Sequence, residues 1–154
     1  MHGDEAMFER FCLEAFQSGL SWLTILRKRA AFRAAFAGFD LAKVAAFGLQ
    51  DRDRLLADAG IVRNRAKIDA AITNARAALT LPDGLSALVW RYADGDRPAP
   101  VTLADVPAWT PASKALSREL KRAGFTFTGP VTAYAAMQAT GVINDHLHAC
   151  AFRG

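Results

Sequence analysis

The 154-residue chain has little of what would place it in a membrane, an export pathway or a sheet. Although 52% of it is hydrophobic, no run approaches the roughly 20 uninterrupted apolar residues of a membrane-spanning helix. Its start, Met1-His2-Gly3-Asp4-Glu5, is acidic where a secretory signal needs a positive region, so a cytoplasmic location is expected. There are only two cysteines, Cys12 and Cys150, at opposite ends. That excludes a disulfide scaffold and leaves thiols or metal ligands. Strand-like alternation is almost absent, there is no internal repeat or low-complexity tract, and nothing suggests a redox or nucleotide cofactor. What remains is one compact all-α domain over residues 1–154, large enough to bury roughly 68–70% of its unfolded surface and to fold alone. A monomer is expected.

What is present is helical spacing. Phe8, Phe11, Cys12 and Ala15 recur three or four apart, and Trp22, Ile25, Leu26, Phe32 and Phe36 continue the pattern. Ser21, Asp40 and Asp51 suit N-caps, Gly60 and Gly124 suit helix ends, and Pro111 and Pro130 suit first helical positions. The spacing predicts seven or eight short helices. Residues 94–110, rich in Pro and Gly, read as a long connection that runs over the surface or touches a partner.

The net charge of +4 permits a polyanionic partner without demanding one, so placement matters more than the sum. On the helix beginning at Pro111, Ala112, Leu116 and Leu120 share one face, while Lys114, Arg118, Lys121 and Arg122 line the other. Alone, such a stripe is usually a solvated face. Here it runs into Gly124-Phe125-Thr126-Phe127-Thr128-Gly129, with Pro130 opening the next helix, which has the shape of a helix-hairpin-helix. Glycines at both ends let the backbone turn tightly against a phosphate, and the N–H groups of Val131 and Thr132 then face the anion. A second basic turn, residues 60–67, can add phosphate contacts or be an ordinary surface loop.

A different cassette lies near the start, where Glu14 and Trp22 flank a Gly19-Leu20 turn. By themselves these residues read as a solvated acid, a core aromatic and a buried leucine, but their clustering weakens those readings. Near the end, His146 and Cys150 stand four apart, the spacing of one helical face, and imidazole with thiolate suits zinc. Two ligands are not a site, and Cys12, His148 and His2 are the remaining candidates.

Across LEAFQSGLSWLTILRKR at 13–29, DAGIVRNRAKI at 58–68, SKALSRELKRAGFTFTGPVTAYAAMQATGVINDH at 113–146 and Cys150, the chain resembles the DNA-3-methyladenine glycosylase I family. The resemblance implies a helix-hairpin-helix glycosylase fold, a structural zinc ion, double-stranded alkylated DNA as partner, and hydrolytic release of 3-methyladenine from a flipped nucleotide. It further implies that Glu14 recognises the base edge, that Trp22 stacks on the base, and that Gly19 and Leu20 form a wedge in the gap it leaves. Lys114, Arg118, Lys121, Arg122, Gly124, Thr126, Thr128 and Gly129 would contact the DNA backbone, and His146 and Cys150 would bind the metal. Asn144 and Asp145 would order the last helix.

The family pattern opens with a Cys-x-Trp and a Tyr-His-Asp-x-Glu-Trp-Gly stretch that supply two zinc ligands and a second base-stacking aromatic. Neither is found in this chain, so its zinc is expected to be incompletely coordinated or absent and its activity reduced. The rival reading is a noncatalytic helix-hairpin-helix protein that binds DNA and does no chemistry.

Overall fold

The computed structural model describes residues 2–95 and 97–151. It comprises α1 (Asp4–Gln17), α2 (Trp22–Ala35), α3 (Leu41–Ala45), α4 (Leu49–Ala57), α5 (Arg65–Ala78), α6 (Gly84–Trp90), α7 (Pro111–Arg122) and α8 (Pro130–Thr140), with short 3-10 turns at Ala37–Phe39 and Leu103–Asp105. Among the described residues there is no strand. The all-α expectation therefore holds, and no helix is long and apolar enough to cross a membrane.

Helix α1 is the axis of the molecule and packs on α2, α5, α6 and α8. Its apolar residues recur so densely that Met7, Phe8, Phe11, Cys12, Leu13, Ala15 and Phe16 are all buried. A helix with so broad an apolar face needs neighbours on several sides. Phe16 meets Phe32 of α2 at 4.8 Å between ring centroids and Phe36 at the end of α2 at 5.9 Å. Each such ring contributes roughly 1.5–3 kcal/mol on burial, which holds α1 and α2 in fixed register.

A buried acid reinforces that pair. Glu9 of α1 accepts from Arg29 Nε at 2.8 Å and from Arg33 through Nε at 2.9 Å and Nη2 at 3.0 Å. At the start of α1, Asp4 Oδ1 accepts the Ser86 N–H at 2.8 Å and so ties α1 to α6.

The helix boundaries follow local chemistry. Ser21 and Asp40 cap α2 and α3 by accepting from Thr24 N–H and Lys43 N–H. Asp51 does not cap: it sits in the first turn of α4, whose N-cap is Gly48, and its carboxylate accepts from the Gly48 N–H at 3.1 Å. Gly60 likewise lies beyond the end of α4, where Asp58 is the C-cap and accepts the Gly60 N–H at 2.8 Å. Pro111 and Pro130 take first positions, and Gly124, at φ 100°, lets the chain leave α7.

The connection of residues 94–110, of which Asp96 lies outside the described residues, packs onto the C-terminal segment. Arg97 pairs with Asp145 at 3.2 Å and donates to Tyr134 Oη at 2.8 Å, and His148 N–H donates to the Pro100 carbonyl at 2.9 Å.

Candidate base pocket and DNA interface

The end of α1, the start of α2 and the middle of α8 border an open hollow of about 380 Å³ lined by Arg10, Glu14, Gln17, Trp22, Ala135, Gln138 and Ala139. That volume lies within the roughly 300–1,000 Å³ usual for small-ligand sites. The structure thus brings Glu14 and Trp22 to one cavity, with α8 of the hairpin as its far wall.

Each wall is placed by a local device. Gly19 turns the chain between α1 and α2 at φ 81°, a conformation costly to residues with a Cβ. The turn is stapled from both sides: Gln17 Nε2 donates to the Leu20 carbonyl at 2.9 Å, and Lys67 Nζ of α5 donates to the carbonyls of Phe16 at 3.0 Å and Ser18 at 2.7 Å. Leu20 remains 40% exposed on this fastened loop. Ser21 then starts α2, and Trp22 is its first residue.

Glu14 is buried, with 7% of its side chain exposed, and pairs with Arg10 Nη2 at 3.0 Å. The Arg10 guanidinium also lies over the Trp22 ring, 4.4 Å from its centroid. Carboxylate and indole therefore already hold a planar cation between them. Burial pushes the Glu14 carboxyl above the usual carboxylate range, and the neighbouring charge and hydrogen bond of Arg10 only partly oppose it.

The second candidate surface is the α7–α8 hairpin. Lys114, Arg118, Lys121 and Arg122 are exposed on α7 opposite the buried Leu116 and Leu120. The turn is held from beneath: the Asn74 side chain of α5 accepts the Thr126 N–H at 2.8 Å and donates to the Thr126 carbonyl at 2.9 Å, while Ser117 Oγ donates to the Thr128 carbonyl at 2.6 Å. Phe127 stands exposed at the tip with φ 56°. Gly129 is the N-cap of α8 and offers no capping side chain, so the first N–H groups of that helix are not covered by one. Thr126 is exposed, whereas Thr128 is buried and presents no hydroxyl to a partner.

The second basic turn is differently employed. Lys67 is committed to the α1 carbonyls, and burial lowers its pKa. Arg63 and Arg65 stay exposed.

The zinc expectation is corrected. Cys150 Sγ and His146 Nδ1 do approach to 3.5 Å, but on a turn closed by Cys150 N–H to the Leu147 carbonyl rather than on a helix. Of the other candidates, His2 stacks on Trp90 at 4.6 Å, and Cys12 is in the core, where burial pushes its thiol pKa up. Among the described residues no group of three or more His, Cys, Asp or Glu is placed to hold a metal ion, and two donors do not fit a four-coordinate site. No helix follows Thr140 among the described residues, so the contacts of Asp145 to a helix are with α8. Asp145 pairs with Arg97 and accepts from Gln138 Nε2 at 2.8 Å and from Tyr134 Oη.

Sequence reasoning missed Arg10, Asn74 and Ser117, and it read Lys67 as part of a basic turn rather than as the staple of the α1–α2 turn. Arg10 had a signal in its i, i+4 spacing to Glu14, and Asn74 stood as a lone amide among Ile68, Ala71, Ile72 and Ala75.

The whole chain, residues 1–154, matches the family model described as methyladenine glycosylase. The DNA-3-methyladenine glycosylase 1 of Escherichia coli (strain K12) is 45% identical to it over 149 residues, covering 94% of this chain and 80% of that protein. A crystal structure of 3-methyladenine DNA glycosylase I superposes with a TM-score of 0.93 at 41% identity, covering 99% of this chain and 86% of the other. The Staphylococcus aureus enzyme, solved to explain its recognition of 3-methyladenine, gives 0.91 at 34% identity, with 100% and 85% covered. With a family match along its full length and backbones that superpose on solved members, the chain belongs to the methyladenine glycosylase family.

Proposed function

We propose that this protein acts in base-excision repair as a cytoplasmic monomer whose single domain, residues 1–154, hydrolyses the N-glycosidic bond of 3-methyladenine in alkylated duplex DNA. The observation that carries the reading is the convergence of the Glu14 carboxylate and the Trp22 indole on one hollow, where they hold a planar cation.

In DNA, 3-methyladenine is such a cation. Its flat, charged ring is drawn to the indole face, and its amino group can donate to Glu14. A neutral adenine gains less from both. Leu20, held out on the stapled Gly19 turn, fills the gap left by the flipped nucleotide and offsets part of the few kcal/mol of unstacking.

The leaving base already carries positive charge, so the bond from its ring nitrogen to C1′ is weak. When that bond breaks, its electron pair returns to the ring and neutralises the base. Water adds to C1′ and yields its proton to solvent. Glu14 and Trp22 act by binding the extruded, bond-weakened state more tightly than the stacked one. The hairpin N–H groups and the Lys114, Arg118, Lys121 and Arg122 stripe hold phosphates without reading sequence.

Free 3-methyladenine, measured chromatographically after incubation with methylated duplex, tests the proposal. Release by the wild-type chain, abolished in Glu14→Ala, is expected. Tight duplex binding with no release by the wild-type chain overturns it in favour of a noncatalytic DNA-binding protein.

A further inference from the structure

We infer that Arg10 is a resident occupant of the base-binding hollow, a guanidinium that sits where a flipped base must go and swings out to admit it; this rests on the hollow being the base pocket proposed above. Three observations carry it. The guanidinium makes both contacts assigned to the damaged base, 3.0 Å from Glu14 and 4.4 Å from the Trp22 centroid. It therefore cannot remain while a base takes the same carboxylate and the same ring face.

The seat also satisfies it incompletely, because Arg10 Nε is buried with no hydrogen-bond partner. An arginine with one donor stranded leaves more readily than a fully bonded one, since water supplies the missing bond outside. Finally, the side chain is 20% exposed, so a path to solvent is open. Contrast Glu9 on the same helix, which is held by three hydrogen bonds from two arginines.

The consequence is a threshold on base entry. Every base, damaged or not, must evict the guanidinium and so separate it from Glu14. A cationic base restores a charge partner to that buried carboxylate, whereas a neutral base leaves it uncompensated. Undamaged purines, in great excess along the duplex, are thereby kept out without any group that reads the methyl substituent. With a closed form favoured about fivefold, the apparent affinity for the substrate is reduced by about the same factor.

Arg10→Ala and Arg10→Gln test this, with both variants checked for folding by circular dichroism. The expected result is a KM for methylated duplex about fivefold lower than wild type in both variants, with kcat nearly unchanged. Methylguanidinium chloride is the second probe. It should inhibit both variants competitively, returning KM toward the wild-type value, at concentrations where potassium chloride of equal ionic strength does not and where the wild-type enzyme is unaffected. In the absence of DNA, its titration should shift the Trp22 indole N–H resonance saturably in the variants only. A KM that is unchanged or raised in both variants, or a titration that is not saturable, overturns the proposal. Because the titration needs no catalysis, it still decides the question if the wild-type chain releases no 3-methyladenine, which would defeat the functional reading instead.

Discussion

Two of the carboxylates of helix α1, Glu9 and Glu14, are almost equally buried and electrostatically opposite. For Glu9, burial is the largest single influence and raises its pKa, yet the hydrogen bonds and charges of Arg33 and Arg29 together outweigh it and leave the group lowered. At Glu14 burial wins over the single partner Arg10, and the pKa is raised. The same side chain on the same helix is thus a fastener in one place and an under-compensated charge in the other. Glu9 has what it needs within the fold, whereas Glu14 can gain from a further cation, as a group built to receive a ligand should.

The comparison can be broken first at its functional end. Glu14→Ala should slow release of 3-methyladenine by more than about a hundredfold, the loss of a charged hydrogen bond and its ion pair at a buried carboxylate, while binding to undamaged duplex stays nearly intact. Wild-type release by this variant, in single-turnover assays, would remove Glu14 from the site.

The pH profile separates the two acids without mutation. Base binding needs the Glu14 carboxylate ionised, so release should fall about tenfold per pH unit below its raised pKa, beginning at less acid pH than an ordinary glutamate. Arg10, the charged group lining the same hollow, remains protonated throughout. Stability runs in opposite directions. Glu9, lowered in the folded state, contributes stability that is fully present above its ordinary 4.5 and is lost as pH falls through its folded value. Glu14, raised in the folded state, contributes most below 4.5, and that contribution is lost as pH rises through its folded value. Denaturant midpoints against pH, compared between wild type and each Gln variant, read both signs.

Glu9→Gln is the structural counterpart. Its arginine partners are half-exposed, so the loss is about 1–2 kcal/mol after allowance for solvent screening. Urea unfolding should show that shift, while kcat for release stays at the wild-type value. A change in kcat of the size seen for Glu14→Ala would erase the distinction between the two acids.

The smallest effect lies away from both. Changing Lys121 and Arg122 together to Ala should weaken binding several-fold to damaged and undamaged duplex alike, and lower the slope of log affinity against log salt by roughly 0.9 for each phosphate no longer neutralised. Filter binding across a salt series measures it, and an unchanged slope would count against the stripe as a DNA-binding surface.

Much of this was legible in the chain itself. The three-and-four spacing of Phe8, Phe11, Cys12 and Ala15, the Ser21 cap, Pro111, Pro130 and the Gly124 turn are all local features, and each appears where the chemistry of neighbouring residues puts it. Glu14, Gly19, Leu20 and Trp22 could be read together because they sit within ten residues. His146 and Cys150 misled for the same reason: a four-residue spacing implies a shared helical face only where there is a helix, and the chain after Thr140 turns instead.

The amino-acid order determined the helices, most of their ends, the glycine-bounded hairpin and the nearness of Glu14 to Trp22, since backbone propensity and periodicity depend on residues close along the chain. Only the tertiary structure decided what each long polar side chain would meet. Packing of α1 against α2 and α8 set the Arg10 guanidinium between Glu14 and Trp22, and α5 brought Lys67 to the turn between α1 and α2 and Asn74 to the hairpin. Those partners lie up to 52 residues apart, and flexible side chains settle by the distance and dielectric of the assembled fold, which no local spacing encodes.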